Sequence, residues 1–378
     1  MRIALVAGTR FPVSEPFAGG MEAHTWLLAS ELTRRGHDVT VFAGNGSDPS
    51  IGTLNVIDGD GFDPSPLARA DVSMPPERFL REHHAYQKLM LQLSRDDSFD
   101  VVHLNSLHHL PVAMSPLLPR PPVLTLHTPP TPWLESALHG DHSVRVVAVS
   151  DHTARAWRPV TGPVPVLRNG VDLSRWLPGP GGGHAVWTGR MVPEKGPHLA
   201  IDAAAQAGVP LLLAGPAPDA DYFRDCLAPR FGENARWLGH LDHVALHRLV
   251  AFASVTVVTP CWDEPYGLVV AESLAAGTPV AAFARGAVPE LVTDECAALA
   301  PAGDVRALAK AIVAASRLDR AAVRAHAEAT VDGATMVTEY EELYADCCGD
   351  AQRESARHRT VALVEGTLRR HPPEIALA

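Results

Sequence analysis

The 378-residue chain predicts an α/β protein built from two doubly wound domains. Ten short aliphatic runs alternate with longer helical patterns, as parallel strands do when helices cover both faces of their sheet. The chain is 46% hydrophobic, ample for packed cores, and it is longer than one average domain. Its sharpest compositional break, Pro-Gly-Pro-Gly-Gly-Gly at 178–183, falls between two series of five runs.

In the first half the expected strands are Arg2–Ala7, Val39–Ala43, Val101–Leu104, Val123–Leu126 and Val144–Val149. In the second they are Ala185–Thr188, Leu211–Ala214, Ala235–Leu238, Val255–Val258 and Val280–Phe283. RNGVDLSRWLPGPGGGHAV (168–186) reads as the linker, giving domains of 1–170 and 171–345 and a partly helical tail of 346–378. Thr335–Cys348 has helical spacing, with Met336, Val337, Tyr340, Leu343 and Tyr344 on one face. Thr360–Arg370 is a further candidate helix before Pro372-Pro373. Ligands of open α/β sheets bind beyond the carboxyl ends of the strands, so the cleft between the domains is the expected site.

The opening MRIALVAGTRFPV resembles a first core strand more than a signal peptide, and no run approaches the roughly 18 apolar residues of a membrane span. Five cysteines, with Cys347 and Cys348 adjacent, make no even disulfide framework, so a reduced, cytoplasmic setting is expected. Peripheral contact with the inner face of a membrane stays open, as does the oligomeric state. A formal net charge of −11 argues against nucleic acid as a partner. An anionic ligand then needs a local cluster of donors.

Three stretches supply such donors. In FAGGMEAHTWLLASELTRRGHDVTVFAG (17–44), Gly19-Gly20 stands at a helix start, where free N–H groups and the absence of side chains suit a phosphate. A flexible loop before a helix explains the same residues. In WTGRMVPEKGPHLAIDAAAQAG (187–208), Arg190 and Lys195 follow a strand and precede a helix opening near Pro197, placed to neutralise a leaving diphosphate. Ordinary surface charges explain these too. In CWDEPYGLVVAESLAAGTP (261–279), Pro265 and Gly267 start a helix, so Glu264 lies in the loop and Glu272 in the second turn. Both carboxylates face a ligand at that helix start and suit vicinal hydroxyls.

Glu264-x7-Glu272, together with GRMVPEKG, LRNGVD, LAGP and AAGTPVAAFARGAVPELV, resembles the family-4 retaining glycosyltransferases of the GT-B fold. The resemblance covers residues 1–346 and is strongest over 165–292. It implies two Rossmann-like domains facing each other across a cleft, the first for the acceptor and the second for a nucleotide sugar. It further implies that Arg190 and Lys195 hold the donor diphosphate, that Glu272 grips the ribose and that Glu264 contacts the transferred sugar. Backbone amides of Tyr266, Gly267 and Leu268 meet the sugar and phosphate, and Gly20 matches the glycine that closes over the diphosphate. His127, in VLTLHTPP, lines the cleft at the reacting sugar, and Leu238, Gly239 and His240 lie near the nucleobase. The implied reaction moves a hexose-type sugar to an acceptor hydroxyl with retention, needing no metal and no cofactor beyond the nucleotide-sugar co-substrate. The acceptor is a small molecule, a natural-product scaffold or a glycan.

Two departures stand out. Arg168 replaces a frequent proline before Asn-Gly-Val-Asp, and Trp262-Asp263 precedes Glu264 where smaller or apolar residues are common. A GT-B nucleotide-sugar epimerase is the rival enzyme, but it does not carry this Glu-x7-Glu block with GRMVPEKG. A non-catalytic nucleotide-sugar-binding protein is the rival outside catalysis, and the intact set of implied site residues speaks against it.

Other features have plainer explanations. The histidines 83, 84, 103, 108 and 109 show no zinc spacing. Asp219-Ala-Asp221 mimics a metal-binding D-x-D signature but opens a helix, so capping accounts for it. Asp58-Gly-Asp60 reads as a turn, and Ser150-Asp151 as a helix cap.

Overall fold

The computed structural model describes residues 1–57, 62–140 and 142–349. The first half contributes strands β1 (Arg2–Ala7), β2 (Asp38–Ala43), β3 (Thr53–Val56), β4 (Val101–Asn105), β5 (Val123–Leu126) and β6 (Arg145–Ala148). They pair in parallel in the order β3-β2-β1-β4-β5-β6. The second half contributes β7 (Ala185–Thr188), β8 (Leu211–Ala214), β9 (Ala235–Trp237), β10 (Val255–Val258), β11 (Val280–Phe283) and β12 (Ala297–Ala300). These too are parallel, in the order β12-β11-β10-β7-β8-β9. Counted from their own starts the two orders are the same, with the direction of winding reversing between β1 and β4 and between β7 and β10. This is the GT-B arrangement of two Rossmann-like domains.

All ten expected strands are present, with ends differing by at most one residue. The two that were not expected, β3 and β12, both lie at sheet edges. β3 (TLNV) is mostly exposed and lacks a continuous apolar run. β12 (AALA) is alanine-rich, and alanine is depleted in strands, so neither carries the signal of a doubly covered strand.

The glycine-rich tract is not a loose tether. Gly179 N donates to Ala276 O at 3.2 Å and Gly181 N to Ala251 O at 3.1 Å. Arg320 adds bonds to the carbonyls of Gly179, Ala251 and Ala253. The crossings between sheets lie instead at 169–171 and 331–333, side by side. There Val171 N donates to Val331 O and Gly333 N to Val171 O, both at 2.9 Å.

Beyond the second crossing a helix covers residues 333–349. The second domain was expected to run to 345, but this helix packs its apolar face onto the first sheet. Met336, Val337, Tyr340 and Tyr344 are buried with Ile3, Leu5 and Val123. His103, from the histidines considered above, is used here: its ring nitrogens bond Tyr344 Oη at 2.7 Å and Thr125 Oγ1 at 2.8 Å. Asp219 caps its helix by accepting from Tyr222 N at 2.9 Å, and Ser150 accepts from Thr153 N at 3.0 Å. The expected turn at Asp58-Gly-Asp60 and helix at Thr360–Arg370 lie outside the described residues.

Candidate active site

In the second domain the site is built where β10 ends. The chain runs through Cys261–Tyr266, turns at Gly267 with φ +102°, and enters the helix Leu268–Ala275. Glu264 therefore lies in the loop and Glu272 one turn into the helix, as their spacing predicts. Glu264 Oε2 accepts from Lys195 Nζ at 2.6 Å and from Trp262 Nε1 at 3.1 Å. The Lys195 ammonium also sits 5.1 Å from the centre of the Trp262 ring, a cation–π contact. Trp262, noted only as a departure from the family pattern, thus clamps both charged groups.

Gly286 fixes the Glu264 backbone from the other side. A Cβ at Gly286 would lie 2.2 Å from Glu264 N, so only glycine permits the approach, and Ala287 N donates to Glu264 O at 2.8 Å. The loop after β7, which carries Arg190 and Lys195, is tied to the same region. Cys261 N donates to Glu194 O at 2.8 Å, and Thr259 Oγ1 to Lys195 O at 3.1 Å. Arg190 lies 3.9 Å from Glu194 and also interacts electrostatically with the buried Glu22 of the first domain. Glu272 has no hydrogen-bond or ionic partner among the described residues, and burial pushes its carboxyl up to about 8. An unpaired carboxyl in a cavity wall is a group prepared for a ligand.

From the first domain, Gly19 and Gly20 open the 15-residue helix Gly20–Arg34 with no side-chain cap. A Cβ on Gly20 would come within 3.0 Å of Leu268 Cδ1, so the two helix starts meet across the cleft. Neither N-cap residue caps its helix with a side chain, and both helix dipoles favour an anion there, while the Glu22 carboxyl stands at the first start, 3.2 Å from where a Cβ on Gly19 would lie.

His127 follows β5, and its Nε2 lies 2.6 Å from Asn105 Oδ1 at the end of β4. Burial, reinforced by His24 and His103, holds its pKa well below the usual imidazole value. The ring is therefore neutral, with its proton on the Nε2 that faces the amide oxygen and Nδ1 left as an acceptor. His24 is 1% exposed, sits 5.0 Å from His127 ring to ring, and has no partner for either nitrogen among the described residues.

His24 and Asn105 were not anticipated. His24 shares a helix face with Leu28 and Leu32, and an imidazole on an apolar stripe was the available signal. Asn105 is the polar end of the fully buried VVHLN strand.

One cavity joins the two halves. Its wall includes Gly19, Gly20 and His24 from the first domain. From the second it includes Arg190, Lys195, His240, Glu264, Gly267, Leu268 and Glu272. His240 also bridges the halves, its Nε2 donating to Phe17 O at 3.1 Å. Leu238, Gly239, Tyr266 and His127 lie off this wall. Gly239 O accepts from Gly215 N and Leu238 N donates to Leu213 O, both at 2.8 Å, so this turn extends the sheet. The Tyr266 ring is turned into the core, where its hydroxyl bonds Asn169 O. His127 reaches the cavity region through its contact with His24.

Residues 18–175 match the model of Glycosyltransferase Family 4, and residues 184–330 that of Glycosyl transferases group 1. The chain is 30% identical over 349 residues to a phosphatidyl-myo-inositol mannosyltransferase of Mycobacterium leprae, covering 84% of this chain and 88% of that protein. It is 29% identical over 397 residues to a glycogen synthase of Mycobacterium tuberculosis, covering 91% and 94%. Among solved structures, Anabaena HepE with UDP and glucose aligns with a TM-score of 0.71 at 20% identity, covering 92% of this chain and all of that one. Sucrose-phosphate synthase of Thermosynechococcus elongatus aligns with a TM-score of 0.72 at 20% identity, covering 91% and 98%. No helix among the described residues is long and apolar enough to cross a membrane. With paired domains, a cleft of this composition and matches along both halves, the chain belongs to the group 1 glycosyltransferases, with a first half of the family-4 type.

Proposed function

We propose that this glycosyltransferase moves a hexose-type sugar from a nucleotide-diphosphate donor to an acceptor hydroxyl, with retention of configuration and without a metal. The observation that carries this is the unpaired, half-buried Glu272, opening on the same cavity as the Lys195–Glu264 pair. A carboxylate suited to a diol, two cations for a diphosphate and a second carboxylate for a sugar line this one cavity, matching the parts of a nucleotide sugar. The mannosyltransferase and glycogen synthase relatives support a hexose.

In this reading Glu272 accepts from the ribose hydroxyls, and the Leu238–His240 turn lies near the base. Arg190, Lys195 and the amides at Gly19-Gly20 and Tyr266–Leu268 take up the negative charge that grows on the departing diphosphate. Glu264, held by Lys195 and Trp262, orients the sugar rather than attacking it. His127 accepts a hydrogen bond from a sugar hydroxyl at Nδ1, while Asn105 holds its ring. The acceptor's proton passes to a diphosphate oxygen on the face that the leaving group vacates, so no separate base is needed and configuration is kept. The side-by-side crossings at 169–171 and 331–333 allow the halves to close and exclude water.

A thermal-shift screen against UDP-, GDP-, ADP- and TDP-sugars tests the donor, because a bound donor stabilises the native state by mass action. One of them should raise the Tm, and NMR of the product should show the donor's anomeric configuration in the presence of EDTA. No shift with any nucleotide sugar, or an inverted product, would overturn the proposal.

A further inference from the structure

The helix Asp151–Thr161 of the first domain is bonded to the Glu264 loop of the second, and nothing in the donor reading uses that contact. Ser150 Oγ donates to Pro265 O at 2.6 Å, and Thr153 Oγ1 donates to the same oxygen at 3.1 Å. Ser150 and Thr153 are 1% and 0% exposed, and Pro265 is buried as well. Glu290 closes the joint from the second domain. Its carboxylate accepts from Asp151 N at 2.9 Å and from Arg155 Nη2 at 3.0 Å. Further along the same helix, Trp157 Nε1 donates to Thr128 O at 2.7 Å, directly after His127. One helix is thus bonded both to the loop that carries Glu264 and to the loop that carries His127.

Hydroxyls of one domain on a carbonyl of the other would be plain docking if that carbonyl stood elsewhere. Here it belongs to a peptide of the site. Among the described residues the cis peptide is Glu15-Pro16, so Pro265–Tyr266 is trans and its N–H points opposite to its C=O. With the carbonyl held twice, the Tyr266 N–H is turned away from the first-domain helix and cannot rotate without breaking two buried bonds. Pro265 has no N–H, so this is the first amide after Glu264 that can donate. Neither Tyr266 N nor Gly267 N has an acceptor among the described residues. Both residues are buried, and Glu264 and Gly267 line the cavity. Buried amides are normally paired, so these two await a ligand. A carbonyl that accepts two bonds also polarises its own peptide, which makes the N–H a stronger donor.

We infer that Ser150 and Thr153 are positioning residues for the transfer: from the first domain they aim and polarise the Tyr266 amide of the second, so stabilisation of the leaving diphosphate depends on how the two domains are docked. The inference rests on the transferase reading above. A purely structural joint would hold the domains together and leave the chemistry of a docked pair unchanged. A positioning joint acts where charge grows. An intact nucleotide sugar does not yet carry the extra negative charge on its terminal phosphate, whereas the transition state and the free nucleoside diphosphate do. Loosening the amide therefore weakens the last two and spares the first.

The probes are UDP-glucose, GDP-mannose, ADP-glucose and TDP-glucose with their nucleoside diphosphates, on the full chain. Calorimetry finds the pair that binds, and nucleoside diphosphate released from its sugar, with water as acceptor, gives kcat. Thr153→Val keeps the side-chain shape and removes one hydroxyl. It should lower kcat and nucleoside diphosphate affinity by about five- to tenfold each, with affinity for the intact nucleotide sugar little changed. Thr153→Ser should restore both. Ser150→Ala should act in the same direction, and it keeps the test decisive if Thr153→Val does not fold. Wild-type kcat and nucleoside diphosphate affinity in the folded variants, or equal weakening of the nucleotide sugar and the nucleoside diphosphate, would overturn the inference. With the unaltered protein still binding its donor, such a result sinks the positioning role only. Failure of the unaltered protein to bind any of the pairs sinks the donor reading itself.

Discussion

At the carboxyl end of the second sheet, Arg190, Lys195, Glu264 and Glu272 place two cations and two carboxyls around one cavity. At the same end of the first sheet stand His24, Asn105 and His127, a set without formal charge, kept so by burial of the imidazoles. The two sheets have the same strand order, so topology does not create this contrast. It follows from what each side faces in the proposed reaction. A diphosphate and a ribose diol call for charge, whereas the hydroxyls of a sugar call for neutral donors and acceptors whose protons stay in place.

The harshest test of the contrast is Lys195→Ala. If the charged side stabilises the leaving group, turnover should fall by about 10²–10³-fold, the loss typical of one preorganised transition-state donor. The fold should survive, because the Lys195–Glu264 pair is partly exposed, at 23% and 14%, and such pairs add about 1 kcal/mol or less. Near-normal transfer by the folded variant would remove Lys195 from the mechanism.

Glu272 separates binding from chemistry. Glu272→Gln should weaken donor binding by about 10- to 100-fold, the worth of hydrogen bonds to a charged group, with a smaller effect on turnover. Its pH dependence gives a second handle. The free carboxyl titrates near 8, so donor binding to the carboxylate should strengthen as pH rises toward 8 and level off above it. Stability of the unliganded protein should run the other way. The folded pKa lies above the unfolded one, so stability is lost as pH rises from about 4.5 to about 8, and Glu272→Gln should abolish that loss. Isothermal titration and thermal melts across this range, with an intact nucleotide sugar as ligand, check both signs.

These charged residues are also the ones the sequence makes legible. Arg190, Lys195, Glu264 and Glu272 are carried by motifs because loops and a helix start set their positions through short local spacing. Ten of the twelve strands are legible for a related reason, since burial on both faces forces continuous aliphatic runs. The edge strands β3 and β12 escape because one side of each is uncovered. His24 and Asn105 escape because their roles come from a contact with His127 that brings together distant stretches of chain. The return of residues 333–349 to the first sheet escapes because an apolar helix face does not say which sheet it covers. The rings of Tyr340 and Tyr344 settle it by bonding Thr125 and His103.

Asn105 tests the neutral side. Asn105→Ala leaves His127 buried without its amide, so the ring loses its fixed orientation and tautomer. Turnover should fall by about tenfold with donor KM little changed, since positioning groups of this kind act on the reacting sugar and not on the nucleotide. Asn105→Asp sharpens the point. A carboxylate there would favour the charged imidazole and raise the His127 pKa, adding a further acid limb to the pH profile of turnover at saturating donor, separate from the Glu272 effect on donor binding. An unchanged profile in Asn105→Asp would mean that His127 acts without help from β4.

The smallest expected effect lies where this chain departs from the family pattern. Trp262 gives Glu264 an N–H bond at 3.1 Å and offers Lys195 a π face at 5.1 Å. Trp262→Phe keeps the face and removes the N–H. Glu264 then retains Lys195 as a partner and gains freedom to turn, so turnover should fall only about three- to fivefold, the loss of one modest hydrogen bond. Trp262→Ala removes both contacts and should cost more, through Lys195 as well as Glu264. Comparing the two variants on the transferred sugar and on the free nucleotide tells them apart. If Trp262 positions the sugar-facing carboxylate, Trp262→Phe leaves nucleoside diphosphate affinity intact while Trp262→Ala reduces it. Equal losses in both assays for both variants would make Trp262 a packing residue, and the charged side would owe its order to Gly286 and the paired loops alone.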